Sequence, residues 1–124
     1  MKILIVDDSK VTRGIIKRIM SKKEVELFEA ENGQEALELL YEHGFFDVIM
    51  LDWNMPIMDG HTFLKELRKN PDWDDIKVMM ITTENEQKAI LEALNAGADE
   101  YLMKPFNEEM LLAKMDMLIE ESAI

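Results

Sequence analysis

Apolar residues in this chain alternate between two textures, and no other feature limits its fold as much. Unbroken four-residue apolar runs stand at 3–6, 48–51 and 78–81. Runs of that length suit strands covered on both faces. Two further strand candidates lie at 25–30 and 100–103; in the first, Val25 and Leu27 alternate with Glu26 before Phe28 and Glu29, so one side is wet and the segment belongs at a sheet edge. Between the strands apolar residues recur three or four apart. The stripes are Ile15, Ile16, Ile19 and Met20; Ala36, Leu37, Leu40 and Tyr41; Phe63, Leu64 and Leu67; Ile90, Ala93 and Leu94; Leu111, Met115 and Leu118. Each is the buried face of an amphipathic helix. Ser9, Asn32, Asp59 and Asn107 can cap helix starts, and Gly44 and Gly97 can supply left-handed stops.

Strands that alternate with helices pair in parallel, through right-handed crossovers that leave helices on both sheet faces. With the first strand central and the second at an edge, the expectation is an α/β fold. It is a flavodoxin-like, doubly wound three-layer sandwich of five βα units, strand order 2-1-3-4-5, forming one domain over residues 1–124. Composition agrees, with 48% hydrophobic and 32% charged residues. The apolar runs fall far short of the ~20 residues of a bilayer span, so no membrane insertion is expected. Lys2 and then only four apolar residues lead up to Asp7, too few for an export signal, and a cytoplasmic setting is expected. A count of zero cysteines removes disulfides, thiolate metal sites and cysteine nucleophiles. A net charge of −12 speaks against nucleic acid, whose phosphates are bound by Lys and Arg, and for partners with basic surfaces.

In an open parallel sheet, ligands bind outside the carboxyl ends of the strands near the point where strand order reverses. Asp7 and Asp8, Asp52, Thr82 and Lys104 stand at those ends. Crowded carboxylates resist full ionisation unless cations offset them. Lys104 brings one positive charge, and hard oxygen donors suit Mg²⁺, which is usually held by one or two carboxylates together with waters and phosphate oxygens. The set therefore points to phosphoryl chemistry: one aspartate attacks a phosphoryl donor and becomes an acyl phosphate, while metal and lysine stabilise the transferring oxygens. Asp52 is best placed, because it follows the most apolar central strand and opens the 53–60 loop; Asp7 and Asp8 would hold the metal. Taken singly, each residue has a plainer reading, Asp8 or Ser9 as a helix cap and Lys104–Pro105 as a turn. Their common position at one sheet edge favours a site.

The same residues carry a likeness. Ile5-Val6-Asp7-Asp8-Ser9, Asp52-Trp53-Asn54-Met55-Pro56-Ile57-Met58-Asp59-Gly60, Met80-Ile81-Thr82-Thr83-Glu84, Ala96-Gly97-Ala98-Asp99 and Lys104-Pro105-Phe106 follow the order and spacing of receiver domains of two-component response regulators. The chain resembles that family over essentially its full length, most of all its stand-alone chemotaxis members. The resemblance implies that Asp52 accepts a phosphoryl group from the phosphohistidine of a histidine kinase. It implies that Asp8 binds Mg²⁺ directly, Asp7 mainly through water and Asn54 through its backbone carbonyl, with Asp52 also among the metal residues. Lys104 would contact the acyl phosphate, and the Lys104–Pro105 bond would be cis. Thr82 and Tyr101 resemble the family's switch pair: the threonine hydroxyl moves to a phosphoryl oxygen and the tyrosine ring turns inward. The surface so remodelled is the fourth helix, fifth strand and fifth helix, residues 85–95 and 99–121, where a downstream protein would bind. Asn54 and Glu84 match positions that govern water access to the acyl phosphate, which implies comparatively rapid self-dephosphorylation. Catalysis would be confined to the chain's own phosphorylation and dephosphorylation.

Other readings compete. An aspartyl-nucleophile phosphohydrolase also uses a strand-end aspartate with Mg²⁺, but requires a second acid two residues on, where this chain has Asn54. A flavin- or dinucleotide-binding module needs a glycine-rich phosphate loop after the first strand, where Asp7 and Asp8 stand. Within the resemblance, a phosphorelay intermediate that hands its phosphoryl group to a histidine phosphotransfer protein stands beside a regulator acting by protein contact; either is expected as a monomer. Trp53 is expected to report on the site by fluorescence unless it is only an exposed loop aromatic, and Tyr101 has the plainer reading of an edge-strand aromatic that packs. Trp73 is read as packing, His43 and His61 as helix-end residues, and the 11 methionines mainly as core.

Overall fold

The computed structural model describes residues 1–83 and 87–123. Strands β1 (Lys2–Val6), β2 (Glu26–Ala30), β3 (Val48–Leu51), β4 (Lys77–Thr82) and β5 (Glu100–Met103) alternate with helices α1 (Lys10–Met20), α2 (Gly33–His43), α3 (Gly60–Arg68), α4 (Gln87–Asn95) and α5 (Glu108–Ala123). Every strand pair is parallel and the order is β2-β1-β3-β4-β5, the doubly wound α/β arrangement that the alternation implies. The edge position of β2 accounts for its exposed Glu26 and Glu29, charges of the kind that discourage pairing with a second chain.

Successive strand side chains point to opposite faces, so each apolar run feeds two cores. Leu4, Val6, Ile49, Leu51, Val78 and Met80 face α2, α3 and α4, against Ala36, Leu40, Phe63, Leu64, Leu67 and Ala93. Ile3, Ile5, Val48, Met50, Met79 and Ile81 face α1 and α5, against Ile16, Ile19, Met20, Leu111, Met115 and Leu118. Burying one such side chain contributes about 1.5–3 kcal/mol, which is why both sheet faces must be covered. Among the described residues no helix is long and apolar enough to cross a membrane.

The helix starts behave as their cap residues imply: Ser9, Asn32, Asp59 and Asn107 accept from the N–H groups of Thr12, Glu35, Thr62 and Met110. Gly44 and Gly97 take φ of 82° and 110°. Three stripe members are exposed rather than packed in the cores. Ile15, Tyr41 and Leu94 are exposed at 37%, 73% and 45%, because a short helix on a flat sheet buries a narrower strip than the spacing suggests. On α1 the strip begins instead at Arg13, which is buried. A 3₁₀ turn at Pro71–Trp73, not anticipated from spacing, buries Trp73, whose indole N–H donates to the Gly44 carbonyl at 3.0 Å. Arg68 ties this turn to the end of α4, donating to the carbonyls of Trp73, Ile76 and Gly97 and pairing with Asp99 at 3.1 Å.

Candidate functional site

Neighbouring strands carry the acidic residues to one edge of the sheet. The Asp52 N–H donates to the Val6 carbonyl at 2.9 Å, so Asp52 leaves β3 beside Asp7 as it leaves β1. Across β4, the Lys104 N–H donates to the Thr82 carbonyl, also at 2.9 Å, which sets Lys104 beyond β5. Lys104 Nζ donates to Asp7 Oδ2 at 2.8 Å and stands 3.6 Å from Asp52 Oδ2. One carboxylate oxygen each from Asp7, Asp8 and Asp52 lies within 4.8 Å of the others.

Burial divides these acids. Asp7 and Asp52 are 2% and 7% exposed, while Asp8 is open to solvent. Both Asp7 oxygens are occupied, Oδ2 by Lys104 and Oδ1 by the Ser9 N–H at 2.8 Å. The Asp8 carboxylate accepts no hydrogen bond and joins no ion pair among the described residues. Burial and the nearby Asp7 raise the Asp52 carboxyl above the usual aspartate range; Lys104 and the N–H groups of Trp53 and Asn54 offset only part of that. One ammonium against three carboxylates leaves excess negative charge in a partly desolvated cluster. Hard oxygen donors with one acid open to solvent fit a divalent cation such as Mg²⁺.

Thr82 ends β4 and is 1% exposed. Register pairs Met80 with Tyr101 and Thr82 with Met103, so Thr82 and Tyr101 share the sheet face covered by α3 and α4. Tyr101 is half-buried, its hydroxyl 3.5 Å from Met103 Sδ. Asn54 is exposed in the loop after Asp52, and Glu84 lies outside the described residues. The Lys104–Pro105 bond is cis. Trp53 is not an exposed loop aromatic: it is 8% exposed and stacks on His61, ring centroids 4.9 Å apart. His43 likewise packs, against Phe28 and Phe46. A cleft of about 500 Å³ lies at the far end of the sheet by Met1, Asp47 and Lys77.

Sequence reading missed Arg13. Its Nη1 donates to the Asp7 carbonyl and its Nε to Glu29 Oε1. Burial alone would raise the Glu29 carboxyl, but the bonds from Lys17 and Arg13 hold it below its ordinary value. A signal existed, since Arg13 stands three residues before Ile16 and so continues the buried stripe of α1.

Comparison with known proteins agrees on the fold and identifies the family. The response regulator receiver domain family matches residues 3–116. Chemotaxis protein CheY1 of Helicobacter pylori is 39% identical over 120 residues, covering 96% of this chain and 97% of the relative. The CheY homolog of Campylobacter jejuni is 38% identical over 117 residues, covering 94% and 90%. Among solved structures, the chemotaxis response regulator CheY4 of Vibrio cholerae superposes with a TM-score of 0.87 at 35% identity, covering 94% of this chain and 97% of that one.

Proposed function

The chain belongs to the response regulator receiver domain family, of the chemotaxis CheY type, and from that membership we propose a phosphorylation switch: Asp52 accepts a phosphoryl group from the phosphohistidine of a histidine kinase, and the surface of α4, β5 and α5 then binds a target protein. The observation that carries this reading is the convergence of the Asp7, Asp8 and Asp52 carboxylates within 4.8 Å, with Lys104 Nζ reaching Asp7 at 2.8 Å and Asp52 at 3.6 Å. A carboxylate of Asp52 forms the new O–P bond as the donor's P–N bond breaks; the imidazole keeps the electron pair and takes up a proton. Asp8, Asp7, Asp52 and the Asn54 carbonyl would hold Mg²⁺, which would supply charge neutralisation on the transferring oxygens. Lys104, already between the two buried acids, adds a second positive charge to the same oxygens.

Thr82 then turns its hydroxyl toward the acyl phosphate and Tyr101 moves inward on the same sheet face, converting a local charge into a changed surface. Asn54 and Glu84 set water access and give a short-lived phosphoryl group; persistence for many hours with Mg²⁺ present contradicts that part. Residues 1–124 form one receiver domain in this reading, in a cytoplasmic setting. Incubation with a small acyl phosphate donor and Mg²⁺, followed by intact mass measurement, tests the whole. The parent gains one phosphoryl mass and Asp52→Asn gains none. Modification of both removes Asp52 as the acceptor, and modification of neither removes the function.

A further inference from the structure

Arg13 occupies a core position although it is charged, being 6% exposed. It sits one helical turn past the cap, its N–H donating to the Ser9 carbonyl at 3.0 Å. Helical side chains lean toward the N-terminus, which carries the guanidinium back under the loop between β1 and α1. There Nη1 donates to the Asp7 carbonyl oxygen at 2.5 Å, Nε to Glu29 Oε1 at 3.0 Å, and Nη2 stands 3.8 Å from Glu31 Oε1. Glu29 and Glu31 flank Ala30, whose carbonyl accepts the Asp7 N–H at 3.0 Å. The end of β2 thus holds the Asp7 backbone at both its N–H and its C=O, once directly and once through Arg13.

The Asp7 carbonyl is part of the peptide that leads into Asp8. Its orientation sets where the Asp8 side chain starts, and the Asp8 carboxylate has no side-chain or backbone partner of its own among the described residues to aim it. We infer that Arg13 is a positioning residue for the divalent-cation site, orienting the Asp7–Asp8 peptide so that Asp8 meets the cation in register with Asp52. This rests on the Mg²⁺ reading above. Coulomb's law alone forecasts the opposite sign, because deleting a cation bonded to the Asp7 carbonyl, beside the acidic cluster, favours binding of another cation. Positioning and charge can therefore be told apart by the direction of one change.

The test titrates MgCl₂ into parent, R13M and R13K chains by calorimetry, with Trp53 fluorescence as a second readout, at a temperature where thermal melts show each fully folded. R13M is expected to bind Mg²⁺ about tenfold more weakly, the scale of loss when groups behind metal ligands are removed. R13K keeps the charge but lacks the planar fork, so it too binds more weakly than the parent, by a smaller factor. Binding by R13M as tight as the parent's, or tighter, overturns the inference even if its melting temperature falls. Should R13M not fold, R13K decides alone: its charge equals the parent's, and unchanged affinity overturns the inference. A parent chain that binds no Mg²⁺ by either readout removes the metal reading itself and the inference with it, a failure visible without any variant.

Discussion

In the proposed role of Asp52 as phosphoryl acceptor, function and stability stand in opposition within one side chain. Burial and Asp7 raise its carboxyl, and its neighbours compensate only in part. The folded chain therefore binds this proton more tightly than the unfolded chain does. Ionisation of Asp52 begins to cost stability as pH rises past the ordinary aspartate value, and the cost is complete above the raised one. Below the ordinary value both states are protonated and there is none. Without Mg²⁺, Asp52→Asn is expected to be more stable than the parent at pH 7 by about 1 kcal/mol, a common gain when a buried functional charge is removed. That gap should close as pH falls into the ordinary aspartate range, read from urea unfolding at a series of pH values. Glu29 titrates in the opposite sense, held low by Arg13 and Lys17, but it is common to both chains and cancels from the difference. A gap of constant size at every pH would refute the charge account of Asp52.

The loop that joins β3 to α3 shows how an element is shaped around one residue. Ile57 has φ of 68° and is 83% exposed, and the Met58 N–H donates to the Pro56 carbonyl at 2.7 Å across it. A left-handed backbone costs a β-branched residue about 1–2 kcal/mol, and an exposed side chain recovers little of that by packing. Ile57→Gly is expected to raise stability by about 0.5–1 kcal/mol, since the freedom of glycine in the unfolded chain takes back part of the relief; an unchanged denaturant midpoint would show the turn unstrained. Gly60 poses the opposite case. A Cβ there would collide with the Asp52 carbonyl oxygen and lie 2.9 Å from the Trp53 Cα, both backbone atoms that cannot step aside. Gly60→Ala is expected to cost about 3 kcal/mol and to slow phosphorylation by small donors, because the displaced strand end carries Asp52, the proposed acceptor. Near-parent values of both would show that the loop yields easily. Nothing in the order of residues 52–60 announces this need: it arises where α3 starts against the end of β3, a contact that exists only once the loop has closed.

For the whole molecule, the proposed cation site in the acidic cluster would make stability a function of metal. A ligand that binds only the folded chain stabilises it by mass action, about 2.7 kcal/mol at a concentration of 100 Kd. For a chain of this size that is a rise of about 10 °C in Tm, expected with Mg²⁺, reversed by chelator and largely lost in Asp52→Asn. A parent Tm that ignores Mg²⁺ would leave the cluster without its cation.

Much of this architecture was readable in the order of residues. The runs at 3–6, 48–51 and 78–81 and the stripes between them specify five βα units, because the twofold repeat of a strand and the 3.6-residue repeat of a helix are properties of the local backbone. The same locality placed Asp7, Asp8, Asp52, Thr82 and Lys104 at strand ends and β2 at the edge. Tertiary structure alone decided that Lys104 lies against Asp7, 97 residues away, that Arg13 reaches Glu29 across 16, and that Arg68 bolts the end of α3 to Asp99. It also decided that Asp8, not Asp7, is the acid left open. Such pairings depend on how packed layers bring distant side chains within bonding distance, and no repeat along the chain encodes that distance.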